Sequence, residues 1–512
     1  MSTVTARSPD ELFGHPKGLF ICFMTEMWER FSFYGMKALL FLYLTKYHLF
    51  GDGPSYDLLG AYGGLVYAVP VIGGLLADRY LGMRKAVVLG GVLLVLGHAG
   101  MAVEGVQAHV VNGVTVRDDR ALQVFYLSLS LIIMGVGFLK PNISTIVGKL
   151  YAENDPRRDS GFTIFYAGIN LGALFASLVC GYLGETYGWK YGFGAAGVGM
   201  LAGLVFFLWG QKHLHGHAEP PKPEALEEKV LGPLDRERGI YLGAALGVGV
   251  VWQLIQRTWT VHSAMHIVAV GFLIWFVWFV SRCSKVEREQ MVALVIIIFA
   301  CLVFFTLYEQ TYGSWVAFTD RLMTKKLLAW EMTAGSLTFL GALFIVALSP
   351  AFAWLWPWLE KRGWNPSKPA KSALGLAIGG LGFVPLYLAA KGIDGSGLAS
   401  VWWLVAAYLV LEVGEMCLSP IGLAAVTQLS VKRVVSLMMG AWFLATAYSE
   451  VLAAAFGKLS SLEVPEGAAL DPIAAAAKYA DLFWLMTWIG LGSGLVFLLL
   501  TPLVKRWMHG VK

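Results

Sequence analysis

Apolar runs of about eighteen residues or more recur fourteen times along this 512-residue chain, and that recurrence leaves few folds open. A run of that length crosses the hydrocarbon core of a bilayer as a helix, roughly 30 Å at 1.5 Å per residue. Inside lipid every backbone N–H and C=O must be satisfied by the segment itself, or by a closed barrel whose strands are far shorter than these runs. The reading is an all-α membrane protein, with approximate spans 18–45, 57–80, 84–104, 121–147, 161–183, 191–210, 239–256, 263–282, 290–314, 334–356, 372–391, 399–427, 434–457 and 480–502. Span 239–256 is the least clear, being Gly-rich and polar towards its end. Only 14% of residues are charged, where soluble domains carry about 25%.

Short loops rich in Lys and Arg set the orientation. One side holds Arg79, Arg84 and Lys85; Lys149, Arg157 and Arg158; Arg282, Lys285 and Arg288; Lys361, Arg362, Lys368 and Lys371; Lys432 and Arg433; and the tail Lys505 and Arg506. The other side is poorer, with one exception: Arg321, Lys325 and Lys326, in a connection short enough to hold an interfacial helix. Both termini are therefore expected in the cytoplasm, in a multi-pass protein of the cytoplasmic membrane. Met1–Lys17 is polar and does not read as a cleaved signal peptide. The five cysteines have no metal or redox spacing and read as small hydrophobes of helix packing. No metal and no cofactor is expected. The net charge of +5 is too small and dispersed for nucleic acid.

A polar, proline-containing stretch, 211–238, divides the first six spans from the remaining eight. Span count thus suggests two six-helix bundles, 1–210 and 283–512, with a cytoplasmic linker at 211–238 and two additional helices within 239–282, the organisation of a transporter. The second loop, Gly74-Leu-Leu-Ala-Asp78-Arg79-Tyr-Leu-Gly82-Met-Arg84-Lys85, resembles the cytoplasmic signature of the major facilitator superfamily, a conformational element around Asp78 and Arg79.

The first span carries four charges. Glu26, Glu29 and Arg30 share one helix face, and Phe33, Tyr34 and Lys37 extend it, while apolar side chains cover the rest. A charge in hydrocarbon costs at least about 2.5–3.5 kcal/mol, so such residues are retained for function and need partners. Counting rise per residue puts Arg30, Lys140 and Glu415 near the midplane, at roughly 15–18 Å from the inner face, where substrate sites of such transporters lie. Lys37 and Glu309 sit higher, at about 28 Å, and could close an outer gate by a salt bridge that protonation of Glu309 opens. Glu412 and Glu450 are further intramembrane acids for which the sequence names no partner.

Several motifs together carry a family likeness. Glu26-x-x-Glu29-Arg30-Phe31-x-Phe33-Tyr34-Gly35 resembles the first-helix signature of proton-dependent oligopeptide transporters. Gly137-Phe-Leu-Lys140-Pro141-Asn142, Phe165-Tyr166-Ala-Gly-Ile169-Asn170-Leu-Gly172, Glu309-Gln310 and Gly414-Glu415-Met-Cys-Leu-Ser419-Pro420-Ile-Gly422 resemble that family's motifs on its fourth, fifth, seventh and tenth helices. The resemblance implies a proton-coupled symporter of di- and tripeptides working by alternating access. By position, Arg30, Lys37 and Lys140 would receive the peptide carboxylate and Glu415 its amino terminus. Tyr34, Tyr67, Asn170 and Trp442 would shape the pocket, and Glu26, Glu29 and Glu309 would carry protons. Lys37–Glu309 and Lys140–Glu415 would act as gate salt bridges. The expected partners are peptides, protons and lipid, with a monomeric chain.

Two positions depart from the pattern: Phe33 replaces the usual tyrosine, and Gly341 stands opposite the family's asparagine, with Thr338 one turn away as a partial substitute. Both remove polar contacts. A non-peptide solute such as nitrate or a modified amino acid is the competing substrate, although Glu415 suits no pure anion. A non-transporting nutrient sensor is a further alternative. An enzyme is not expected, since no nucleophile–base arrangement, phosphate loop or metal cluster is legible.

Overall fold

The computed structural model describes residues 10–511 apart from 153, 396 and 463–469, and nearly every apolar run in it is a helix. In chain order these are α1 (Lys17–Leu42), α2 (Asp52–Leu81), α3 (Met83–Met101), α4 (Asp119–Lys149), α5 (Arg158–Tyr187), α6 (Trp189–Leu214) and α7 (Arg236–Ile255). They continue with α8 (Thr258–Ser281), α9 (Lys285–Leu322), α10 (Ser336–Lys361), α11 (Lys368–Lys391), α12 (Trp402–Leu429), α13 (Leu437–Ser460) and α14 (Pro472–Trp507). Twelve of them are long and apolar enough to cross a membrane among the described residues. The other two, α1 and α12, have the length and carry the buried carboxylates discussed below.

Local chemistry sets the helix starts. The Asp118 carboxylate accepts from the backbone N–H of Arg120 and Ala121, each at 3.1 Å, and so caps α4. Ser284 and Glu287 satisfy one another's backbone donors at the start of α9 as a capping box. Asp471 caps α14, with Pro472 at the first helical position where its missing N–H costs nothing. Close helix approach relies on glycine. A Cβ at Gly90 of α3 would come within 2.6 Å of the Gly135 carbonyl on α4, and one at Gly380 of α11 within 2.8 Å of the Gly490 Cα on α14. Small residues let membrane helices gain dispersion contact where lipid supplies no hydrophobic drive.

The chain forms two compact units. The first comprises Met1–Lys37, Ala68–Val106 and Asp118–Ile255. Within it α3 packs on α4 and α6, and α7 lies on α4. Its 211–238 segment is tied to the loop around Asp78 and Arg79. Arg84 Nη2 donates to Glu219 at 2.9 Å, Lys85 pairs with Glu237 at 2.6 Å, and the Arg236 guanidinium lies over the Tyr80 ring. Asp78 and Arg79 are both exposed in the last turn of α2.

The second unit comprises Ala38–Tyr67, Gln107–Arg117 and Gln256–Lys512. Here α11 packs on α12 and α14, α9 on α13 and α14, and α8 on α13, where His266 Nδ1 lies 2.7 Å from the Tyr448 hydroxyl. The two helices flanking Gln256 therefore divide, α7 with the first unit and α8 with the second.

Past Gly313 a short helix, Ser314–Leu322, holds Arg321 and is followed by a hairpin, Lys326–Leu327 paired with Trp330–Glu331. Arg321 is not a loop charge at all. It ends a longer α9, donating to Asp52 at 2.6 and 2.7 Å and to the Tyr479 hydroxyl at 2.9 Å.

Candidate transport site

In the first unit the stripe on α1 is buried: Glu26, Glu29 and Arg30 are 3%, 0% and 2% exposed. Arg30 sits between the two acids. Its Nη2 donates to Glu29 Oε1 at 2.5 Å, its Nε to Glu29 Oε2, and Glu26 Oε1 lies 3.4 Å away. The fork that was expected to be open to a ligand carboxylate is thus spanned by Glu29. Glu26 Oε2 is enclosed with no hydrogen-bond partner.

Two further cations adjoin. Lys140, on α4, lies within electrostatic reach of Glu26, Glu29, Arg30 and Lys37. Lys37 is buried, with its ammonium 5.9 Å from the centre of the Phe33 ring. Arg30, Lys37 and Lys140 thus lie together beside Glu26 and Glu29.

The Phe33 departure has a physical consequence here. Its ring lies under both cations, 4.9 Å from the Arg30 guanidinium carbon, so it offers a cation–π face where a tyrosine would also bring a hydroxyl. Tyr34 lies 5.9 Å from the same guanidinium. On α5, Gly168 and Gly172 explain part of their motif. A Cβ at Gly168 would meet the Phe23 ring at 2.9 Å, and one at Gly172 the Arg30 Cβ at 3.0 Å, so both glycines admit α1. That approach carries Asn170 along, half-buried, with its amide donating to the Tyr166 carbonyl at 3.2 Å.

In the second unit Glu309 lies where the regular turn of α9 gives way to a tighter one before Gly313. Its neighbour Gln310 is structural: it donates to the Ala453 carbonyl of α13 at 2.8 Å and accepts from Ser314 at 2.7 Å. Glu415 on α12 lies within electrostatic reach of Glu309 and beside Glu412. The side chains of Ser419 and Pro420 lie outside the described residues. Trp442 on α13 is buried over Gly422 of α12, and Tyr67 on α2 is half-buried. The Thr338 hydroxyl donates to the Gly335 carbonyl at 2.7 Å within its own turn.

Sequence reading missed an ion-pair group in the second unit. Beside Asp52–Arg321, Lys46 pairs with Asp320 at 2.6 Å and Lys458 with Asp57 at 2.7 Å. The only signal was a set of opposite charges at helix ends, which reads equally as loop chemistry.

Against known proteins, a model of the POT family matches residues 84–464. The chain belongs to the POT family. It is 35% identical to the uncharacterized transporter YclF of Bacillus subtilis (strain 168), over 98% of this chain and 96% of that one. It is 31% identical to the dipeptide and tripeptide permease A of Erwinia pyrifoliae, over 96% and 95%. A crystal structure of peptide transporter POT in complex with sulfate superposes with a TM-score of 0.81 at 34% identity, covering 98% of this chain and 97% of that one. As a POT-family chain it is a multi-pass membrane transporter with the major facilitator fold. The first-helix motif that suggested the family is the most deeply buried charged group of its first unit.

Proposed function

We propose that the protein is a proton-coupled symporter that imports di- and tripeptides across the cytoplasmic membrane by alternating access. The observation that carries this reading is the separation of charge by kind. Arg30, Lys37 and Lys140 gather in one unit, and Glu415, with no cation of its own unit beside it among the described residues, stands in the other. A peptide is a zwitterion of variable side chain, and a site that holds both charged ends while leaving the middle to Tyr34, Tyr67 and Trp442 tolerates many sequences. The cationic cluster receives the carboxylate and Glu415 the amino terminus, with Asn170 adding a polar contact. Arg30 suits a carboxylate through its planar fork. Relatives named dipeptide and tripeptide permease support the substrate class.

Proton coupling follows from the α1 arrangement. Arg30 cannot offer its fork to a ligand while Glu29 occupies it. Protonating Glu26 or Glu29 removes a competing anion and frees the guanidinium, so proton and peptide bind together. Glu309 is the third proton carrier we propose. Asp78 and Arg79 belong to the conformational loop, both termini lie in the cytoplasm, and the chain acts as a monomer.

The test is uptake of labelled dialanine by proteoliposomes. Accumulation driven by a pH gradient and abolished by an uncoupler is expected. Glu309→Gln should retain counterflow and lose gradient-driven accumulation. Absence of dipeptide flux from folded protein would overturn the substrate assignment.

A further inference from the structure

Glu412 is a fully buried acid for which the transport reading has no use. It lies three residues before Glu415 on α12, so the two share a helix face. Both of its carboxylate oxygens, and Oε2 of Glu415, are enclosed and have no hydrogen bond within 3.5 Å among the described residues. Enclosed polar atoms without a partner are rare in native proteins and call for an explanation.

Gly341 supplies half of one. A Cβ built there would meet Glu412 Oε1 at 2.9 Å and the Tyr408 ring at 3.4 Å. The Glu412 carboxyl therefore fills the space that a side chain at 341 would need, the position where the POT pattern has asparagine. Glycine at 341 and glutamate at 412 form a matched pair.

The charged and titratable groups around Glu412 supply the other half. Glu415 and Tyr408 come from its own helix, Tyr308 and Glu309 from α9. The remaining packed helices direct their titratable side chains elsewhere. On α11, Lys368 bonds Gln428, Lys371 lies over Trp356, and Lys391 lies over Tyr387. Glu450 of α13 lies against Gly63. On α10, Glu360 accepts from Asn365 at the far end of the helix. No cation thus faces this carboxyl among the described residues. Two adjacent buried carboxyls cannot both hold a negative charge without one, and the Tyr308 hydroxyl in reach of Glu412 supplies a donor to one oxygen but no charge, so the pair is still short of a proton.

We propose that Glu412 is a neutral, proton-bearing acid that donates to Glu415, replacing the missing amide at position 341 as the group that positions the carboxylate recognising the substrate's ammonium. The proton stays on Glu412 while Glu415 carries the charge. The positioning role rests on the peptide reading above; the protonation of Glu412 does not.

The first arm of the test therefore uses no substrate. Infrared difference spectra of the full-length protein at neutral pH, wild type minus Glu412→Gln, should show the carbonyl band of one protonated carboxyl. In Glu415→Gln that band should persist at a shifted frequency. A flat difference spectrum means that Glu412 is ionised and overturns the proposal.

The second arm measures dialanine affinity. Glu412→Gln, which mimics the neutral acid, should bind within about threefold of wild type, and Glu412→Ala about tenfold more weakly. Combining Glu412→Ala with Gly341→Asn should recover most of that loss by returning an amide to the site. Equal loss in the Gln and Ala variants, or no recovery in the double variant, would overturn the positioning role. If wild type itself binds no dipeptide, the substrate reading fails while the infrared arm still decides whether Glu412 holds a proton.

Discussion

The two buried acid clusters solve one physical problem in opposite ways. On α1, Glu26 and Glu29 are charge-compensated, with Arg30 spanning them and Lys140 nearby. On α12, Glu412 and Glu415 have, among the described residues, each other, Glu309 and tyrosines. A cation beside a carboxylate favours its charged form, whereas of two adjacent buried carboxyls that face no cation one holds a proton. The first arrangement can respond to an arriving carboxylate, and the second to an arriving ammonium. A zwitterion presents one of each.

Removing Arg30 breaks the compensated side and should have the largest effect. Arg30→Ala leaves Glu26 and Glu29 buried without their partner, and loss of one member of a desolvated, hydrogen-bonded charge pair costs about 2–5 kcal/mol. Dialanine affinity should fall at least about thirtyfold, with uptake abolished. Arg30→Lys keeps the charge and loses the fork, so partial binding with little transport is expected. Binding unchanged by either substitution would mean that the cationic cluster is not where a peptide carboxylate docks.

Arg321 tests whether compensation also governs stability in the second unit. Its partner Asp52 is buried and, besides Arg321, accepts among the described residues only from the Leu462 backbone N–H at 3.0 Å. Arg321→Ala strands that carboxylate, for about 3 kcal/mol. The melting temperature should drop clearly in a thermal-shift assay, and Asp52→Asn in the same background should restore part of it. A melting temperature unaffected by Arg321→Ala would show that water reaches Asp52.

Much of this was legible in the sequence because lipid imposes strict rules. Runs long enough to span give the helices, and charges on α1 stand out because hydrocarbon tolerates few. Helix spacing alone placed Glu26, Glu29 and Arg30 together. It could not show that Glu29 takes the Arg30 fork, because neighbouring side chains on a helix normally diverge and only the rotamers decide. Arg321 escaped notice since a charge at a helix end looks like a loop residue until Asp52, far away in the chain, is seen beside it. Gly341 read as a lost contact. Its meaning depends on Glu412, and no periodicity links positions on two different helices.

Gly341→Asn alone sharpens the uncompensated side, with a smaller effect. The amide has to displace the Glu412 carboxyl, and overpacking of this kind costs about 1–3 kcal/mol. Glu412→Ala alone opens a void. The double variant should be more stable than the sum of the two, with a coupling of about 0.5–3 kcal/mol, as expected of residues that share one space. Strict additivity in thermal denaturation would mean that the two sites do not compete for volume.

A third kind of carboxylate completes the contrast and should show the smallest effect. Glu219 in the 211–238 segment is paired like Glu29 yet roughly 43% exposed, so water screens the pair. The hydrogen bond from Arg84 holds its carboxyl below the usual range. A carboxylate depressed in the folded state contributes its stability above the unfolded value, and that contribution is lost as pH falls through the folded one. The contact should therefore hold at neutral pH and release only in acid below the ordinary carboxylate range. An exposed pair is worth at most about 1 kcal/mol, so the change stays local to the segment. Cleavage of 211–238 by an acid-active protease should rise as pH falls through that window. Arg84→Gln should raise cleavage at neutral pH by another protease without moving the global melting temperature. If Arg84→Gln cleaves like wild type at neutral pH, the segment is held by Lys85–Glu237 and backbone contacts, and the exposed carboxylate contributes nothing measurable.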